Sequence, residues 1–358
     1  MNTVYFLGAG ASKNFGYPLT SEIMPEILHK LIKNILFNLS ENDAGEEQKA
    51  AARLLSSIYK LYPGLKEIDA EKEVHRIPNI TEVLSLIDHC SFYNIPPHPD
   101  LSEDKLEDFR QLLNRAIGEV LFKYENENYT AEQRKLLDSF LSVIKQKSKK
   151  EQVTFITTNY DLVLEKEFIL HMFSNQVDFG IFYRSVSDSK LISPAANSFI
   201  KLYKLHGSLN WLRCSMCGHY YINQLGSIVH EAFKQESGYG NTCICSNSLR
   251  LKSVLVSPSL VRDIRDSNLL QIWKAALEAI RTADKLVFFG YSLPAEDLAI
   301  KSIIMRGING RRSSQDLKIE VIQKGFDAQN NYLNLFGNTL KYYEDELPGY
   351  LLKNNAHN

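Results

Sequence analysis

Apolar and polar positions fall into two textures along the chain. Val4-Tyr5-Phe6-Leu7 reads as a strand and runs straight into Gly8-Ala9-Gly10-Ala11-Ser12. Helical spacing follows, with Leu28, Leu31, Ile32, Ile35, Leu36 and Leu39 on one apolar face. The polar, acidic stretch Glu41 to Gln48 reads as a loop. Leu54, Leu55, Ile58, Tyr59 and Tyr62 then resume the period until Pro63-Gly64 stops it. Further helical faces lie at Ile80, Val83, Leu84 and Ile87, at Phe109 to Leu121, and at Leu136 to Ile144. The cluster Pro96-Pro97-His98-Pro99 separates the first two of these. Residues 21–149 are therefore expected to form a helical module.

From Val153 the texture changes to short apolar runs. Val153-Thr154-Phe155-Ile156, Leu202-Tyr203-Lys204-Leu205, Val254-Leu255-Val256, Leu286-Val287-Phe288-Phe289 and Ile319-Glu320-Val321-Ile322 read as strands, with helical segments such as Leu269 to Ile280 between several of them. Strands buried on both faces and alternating with helices predict an α/β fold, a doubly wound parallel Rossmann-like sheet. The expected division is 1–20, 150–212 and 250–345 for that sheet domain, 21–149 for the helical insertion and 213–249 for a small cysteine-bearing module. The tail after Gly349 is polar and is expected to fray.

Charge and composition narrow the function classes. Lys and Arg total 41 against 42 Asp and Glu, a balance that argues against a basic nucleic-acid surface or a polybasic membrane anchor. No apolar run approaches the ~18 residues that span a bilayer, and the first residues already read as a strand rather than a signal segment. A cytoplasmic protein is expected, with neither membrane nor direct nucleic-acid partners.

The candidate chemistry shares one location. Each polar motif follows directly on the C-terminal end of an expected strand, the edge of an open parallel sheet where ligands bind. Gly8-Ala9-Gly10 after a strand lets backbone approach a phosphate, with a following helix offering N–H groups. The spacing is not that of a dehydrogenase fingerprint, because Lys13 stands where G-x-G-x-x-G needs its third glycine. Thr157-Thr158-Asn159-Tyr160-Asp161 offers a carboxamide and a carboxylate two residues apart, suited to holding a water, a ribose hydroxyl or an amide; a helix N-cap is the plain alternative. His206, before Gly207, is a candidate general base near neutral pH.

Five cysteines are present. Cys90 stands alone, while Cys214, Cys217, Cys243 and Cys245 fall close together. In a reducing compartment this spacing suits four thiolates around a tetrahedral, structural zinc. The second pair is C-x-C, so His219 or His230 is an alternative ligand.

Taken together these residues resemble the sirtuin superfamily. Gly8-Ala9-Gly10-Ala11-Ser12 matches its glycine-rich loop, Thr157, Asn159 and Asp161 its T-x-N-x-D element, His206-Gly207 its catalytic pair, and Gly290 with Ser292 its late G-x-S contact. Sirtuins also carry a four-cysteine zinc ribbon at this point in chain order. The departures are equally informative. Gly16-Tyr17-Pro18-Leu19-Thr20 lacks the Phe-Arg of the deacylase G-I-P-x-F-R segment, and Val256-Ser257-Pro258-Ser259-Leu260 replaces the peptide-binding V-x-F-G-E strand. The chain is thus similar to bacterial sirtuin-like NAD hydrolases of anti-phage defence. That resemblance implies cleavage of the nicotinamide–ribose bond of NAD. Asn159 would place the attacking water, His206 would act as base on that water or on a ribose hydroxyl, and Asp161 would orient the nicotinamide amide or a water near it. Gly8, Ala9, Gly10, Ala11, Ser12, Thr157, Gly290 and Ser292 would bind the rest. It further implies a homo-oligomer and a trigger, for which a HerA-type ATPase is the expected partner. Other readings are an NAD-dependent deacylase or ADP-ribosyltransferase, and a non-catalytic subunit that senses NAD or ADP-ribose. Asp297 is either a ligand contact or a helix-start carboxylate.

Overall fold

A strand that is apolar on both faces needs cover on both sides, which a parallel sheet clothed by helices supplies. The protein, described here by a computed structural model, is defined at residues 1–37, 44–126, 129–168, 177–194, 200–224, 226–228, 242–256, 266–294, 297–311 and 316–355. Six strands form the parallel sheet: β1 (Asn2–Leu7), β2 (Gln152–Thr157), β5 (Ile200–Lys204), β10 (Lys285–Phe289), β11 (Lys318–Ile322) and β12 (Lys341–Tyr343). Their spatial order is β12-β11-β10-β1-β2-β5, and every neighbouring pair is parallel. Chain order therefore runs outward from β1 on one side and from β10 on the other. The reversal between β1 and β10 creates a crevice at the strand ends, the switch point where such sheets bind ligands.

Helices α1 (Ala9–Lys13), α6 (Ala131–Ser148), α7 (Val163–Glu167), α8 (Ser267–Arg281), α9 (Leu298–Asn309), α10 (Gln329–Phe336) and α11 (Glu346–Asn355) belong to the same unit. Of these, α6 packs on β2, α8 on β5, and α11 on β11 and β12. The expected fraying of the tail is corrected by α11, whose Tyr350 is fully buried and meets Tyr343 edge-on at 5.3 Å. Burial of one aromatic ring offsets the polar composition around it.

A second, smaller sheet holds β3 (Tyr183–Ser185), β4 (Leu191–Ile192), β6 (Gly207–Cys214), β7 (Tyr220–Ile222), β8 (Thr242–Cys243) and β9 (Ser246–Leu255), ordered β4-β3-β7-β6-β9-β8. Of the run Val254-Leu255-Val256, expected in the parallel sheet, Val254 and Leu255 instead close β9, which pairs antiparallel with β6, and Val256 N–H donates to His206 O at 2.8 Å just beyond it. An apolar run specifies burial but not strand direction, and so the sequence left this choice open.

Residues Pro18–Asn126 make up most of a second unit. Its helices are α2 (Thr20–Ile32), α3 (Ala44–Leu61), α4 (Ile80–Tyr93) and α5 (Glu103–Asn126). Buried Ile27, Leu28 and Leu31, Leu54 and Ile58, Val83 and Ile87, and Phe109, Leu113, Ile117 and Val120 supply its core. Two boundaries differ from expectation. Helix α2 ends at Ile32 because Asn34 and Phe37 take left-handed backbone, φ 55° and 67°; Ile35 is consequently exposed, and Leu39 lies outside the described residues. The strained Phe37 is held by the Glu119 carboxylate, which accepts its N–H at 2.9 Å, and by the Arg115 guanidinium 4.2 Å from its ring centre. Helix α3 begins at Ala44, within the stretch expected as a loop, with Glu46 and Glu47 in its first turn, where acidic charge suits the helix dipole.

Candidate functional site

The turn from β1 to α1 lies at the switch point. Its amides are used inside the fold: Gly8 N–H donates to Phe289 O at 3.1 Å, Gly10 N–H to Gly290 O at 2.9 Å, and Ala11 N–H to Gly8 O at 2.9 Å. A Cβ on Gly8 would stand 2.7 Å from Gly290 O, and one on Gly10 2.9 Å from Gly290 Cα. The glycines are thus demanded first by contact between two strand ends, a requirement that does not depend on a phosphate. Helix α1 has only five residues, so its dipole is small. Ala9 and Gly10 are half-buried, while Gly8, Ala11 and Ser12 are buried.

The Thr157–Asp161 segment is bonded to that turn. Asn159 Nδ2 donates to Gly8 O at 2.8 Å and to Ser12 Oγ at 2.9 Å. A carbonyl oxygen only accepts, so the amide nitrogen must face Gly8, leaving Oδ1 as the acceptor of that side chain. Ser12 Oγ in turn donates to Asp161 Oδ2 at 2.6 Å. Asp161 Oδ1 accepts from Val163 N–H at 3.2 Å, the cap-like bond of the plainer reading. Thr157 is buried; its hydroxyl donates to Leu7 O and accepts from Asn159 N–H at 3.0 Å. Ser12, Thr157, Asn159 and Asp161 line one small cavity here together with Glu165, Lys204 and the apolar Leu7, Ala11, Phe15, Val163 and Leu164.

His206 sits where β5 passes into β6. Leu205 N–H donates to Thr157 O at 2.9 Å, and Leu209 N–H to Tyr160 O at 3.1 Å, so this corner is laced to the Asn159 segment on both sides. The imidazole is buried, with its ring centre 6.5 Å from that of Tyr160, whose hydroxyl donates to Val256 O at 2.7 Å. Gly290 follows β10 at φ +60°. Ser292 is exposed, and among the described residues no hydrogen bond ties its hydroxyl to this network. The structure therefore gathers Gly8, Ser12, Thr157, Asn159, Asp161 and Gly290 tightly, with His206 on the adjoining corner and Ser292 at the rim.

Asp297 takes the helix-start role. It is buried, caps α9 through Ile300 N–H at 3.4 Å and accepts the Tyr291 hydroxyl at 2.8 Å. Asp297→Ala should cost about 2 kcal/mol in urea unfolding, combining a lost cap with an unsatisfied buried hydroxyl. A loss below a few tenths would show that neither bond matters.

Sequence reading missed Lys204, Glu165 and Ser208. Lys204 Nζ meets Glu165 Oε1 at 2.6 Å, and both side chains are buried. Burial pushes the Glu165 carboxyl up, with Lys204 opposing the rise. The available signal was a lysine inside an apolar strand run, two residues before His206.

The four clustered cysteines converge in the small sheet. Cys214 ends β6, Cys243 ends β8, and their four sulfurs lie within 4.8 Å of one another. Cys214 Sγ is 3.6 Å from that of Cys245, and Cys217 Sγ is 3.4 Å from that of Cys243. Tetrahedral zinc with bonds of about 2.3 Å sets its sulfurs roughly 3.8 Å apart, so the thiols fit that ion. Burial disfavours the Cys243 thiolate, yet bonds from the Cys245 amide, the Tyr221 hydroxyl and the other thiols bring it down to about 6. The Cys243 sulfur and burial instead drive Cys245 up to about 12. Such crowded thiols ionise together only when a cation joins them. His219 Nδ1 stands 3.3 Å from Cys217 Sγ, and His230 lies outside the described residues.

A family model for a SIR2-like domain matches residues 153–334, half of the chain, and the chain belongs to that family. Its mixed α/β fold with a parallel sheet is sirtuin-like. Among solved structures it is similar to a Sir2 homologue–NAD complex (13% identity, TM-score 0.46, 99% of this chain and 88% of that one). It is also similar to a Sir2–p53 peptide–NAD+ complex (14%, 0.43, 99% and 92%) and to a structure on sirtuin substrate affinity (13%, 0.44, 98% and 92%). No curated protein matches the chain in sequence. No helix among the described residues is long and apolar enough to cross a membrane.

Proposed function

We propose that the protein is an NAD glycohydrolase. Water adds to C1′ of the nicotinamide ribose as the C1′–N bond breaks, giving ADP-ribose, nicotinamide and a proton. The observation carrying this reading is the single hydrogen-bonded cluster of Ser12, Asn159 and Asp161 at the β1–β10 switch point, beside the His206 corner, in a chain of the SIR2-like family. The half-buried surface of Ala9 and Gly10 receives the pyrophosphate, with Gly8, Ala11, Ser12, Thr157, Gly290 and Ser292 around it and the adjoining riboses. Asn159 Oδ1 holds the attacking water, His206 takes its proton, and Asp161 orients the nicotinamide amide. The leaving nicotinamide departs neutral from a cationic precursor, so no strong acid is needed.

The four cysteines hold a structural zinc, and a closed set of four thiolates offers no position for catalysis. We extend the proposal to NAD depletion in anti-phage defence by a cytoplasmic homo-oligomer, with a HerA-type ATPase as the triggering partner, because unrestrained NAD hydrolysis harms the cell that makes the enzyme.

The test is incubation of purified protein with NAD, alone and with a co-expressed HerA-type ATPase, following nicotinamide and ADP-ribose by chromatography. Asn159→Ala and His206→Ala are each expected to lower release by ~10²-fold or more. Thermal melts run beside them, since Asn159→Ala also removes two scaffold bonds. Bound NAD with no release under either condition would sink the hydrolase reading.

A further inference from the structure

Lys204 and Ser208 flank His206 at equal spacing, and both reach the backbone that carries Asn159 and Asp161. Lys204 Nζ donates to Glu165 Oε1 at 2.6 Å, to Asp161 O at 2.5 Å and to Tyr160 O at 3.4 Å. These three acceptors match the three N–H bonds of an ammonium group. The single hydroxyl hydrogen of Ser208 is shared between Glu165 Oε1 at 3.3 Å and Tyr160 O at 3.4 Å. Lys204 is 1% exposed and Glu165 1%. A buried ion pair is seldom better for stability than apolar side chains of the same volume, because both charges lose their water. Its directional bonds are what an apolar pair cannot reproduce: two consecutive main-chain carbonyls are fixed to the strand end that bears the histidine.

We infer that Lys204, neutralised by Glu165 and assisted by Ser208, is a positioning group that locks the Asn159–Asp161 segment in register with His206. This rests on the hydrolase reading for its catalytic consequence, though not for the loop-holding itself. The pair acts through the segment it holds, and both of its side chains also line the small cavity beside Ser12, Asn159 and Asp161. It sets the distance between the residue that holds the water and the residue that deprotonates it, where displacement by about 1 Å costs up to ~10²-fold in rate.

The experiment compares wild type, Lys204→Met, and the double variant Lys204→Met with Glu165→Leu. The single variant leaves a buried carboxylate without its cation and is expected to fold poorly; the double variant removes both charges and keeps the volume. In the double variant the melting midpoint stays near that of wild type, and amide exchange at residues 158–162 quickens by about tenfold or more while β1 and β10 keep their protection. The kcat for nicotinamide release falls ~10- to 100-fold with KM for NAD changed by less than about threefold. Unchanged exchange at 158–162, or quickened exchange with unchanged kcat, overturns the proposal. Exchange that rises equally through β1 and β10 also overturns it, since the pair would then serve general stability. If wild type releases no nicotinamide, alone or with the HerA-type ATPase, the hydrolase reading fails while the exchange measurement still decides whether the pair holds the loop.

Discussion

Gly290→Ala is expected to leave almost no folded protein. A Cβ at this position would stand 1.9 Å from Ala11 N and 2.2 Å from Gly10 C, on a backbone at φ +60°. The left-handed backbone alone costs about 1–2 kcal/mol for a residue with a side chain. The overlap is with main chain, so no rotamer relieves it; β1 and β10, paired from Thr3↔Lys285 to Leu7↔Phe289, would have to part at their ends. A loss beyond about 4–5 kcal/mol is expected, comparable with the whole stability of many domains. Gly45→Ala is the matched control: it lies in α3 with nothing within 4 Å of the added carbon, and should be neutral or stabilise by up to about 1 kcal/mol. Soluble yield and thermal melts decide. Wild-type melting of Gly290→Ala would refute the tight strand-end contact.

Cys214→Ser is expected to abolish metal binding and unfold the small sheet. Bound structural zinc contributes apparent free energies of about 10–16 kcal/mol in small metal-dependent domains, and no core that size can replace it. Metal analysis should give one zinc per chain in wild type and none in the variant. Chelator should reproduce the variant's loss of protection in β6 to β9. Acid should do the same, because protons compete with the ion for each thiolate: the cluster keeps its metal at neutral pH and sheds it as the pH falls. Wild type with far less than one zinc, yet with a stable small sheet, would show that thiol packing alone suffices.

Five of the six strands of the parallel sheet were legible because their runs are mostly apolar, as burial on both faces requires; the edge strand β12, which starts on an exposed lysine, was not. The candidate site was legible for the related reason that its polar residues begin where those runs stop. The small sheet was not. Strand β6 interleaves buried Ser208 and Asn210 with Leu209, Trp211 and Leu212, so neither clean alternation nor an unbroken apolar run announces a strand. The end of α2 was missed because Ile35 and Leu36 continue its periodicity past Asn34, whose left-handed φ closes the helix. Tertiary geometry also supplied what no pattern could: the buried Lys204–Glu165 pair joins residues 39 apart in sequence.

The contact of Gly8 and Gly10 with Gly290 also bears on how descendants of this fold drift. On the proposed hydrolase reading, catalysis would press on His206 while folding alone would press on these glycines. A lineage that ceased to cleave NAD would still be obliged to keep all three glycines, since any side chain there collides with backbone. It would be freer to lose His206. A glycine-rich turn after the first strand therefore follows from folding alone, whereas on the proposed hydrolase reading an intact His206 beside Asn159 is what a working enzyme would need.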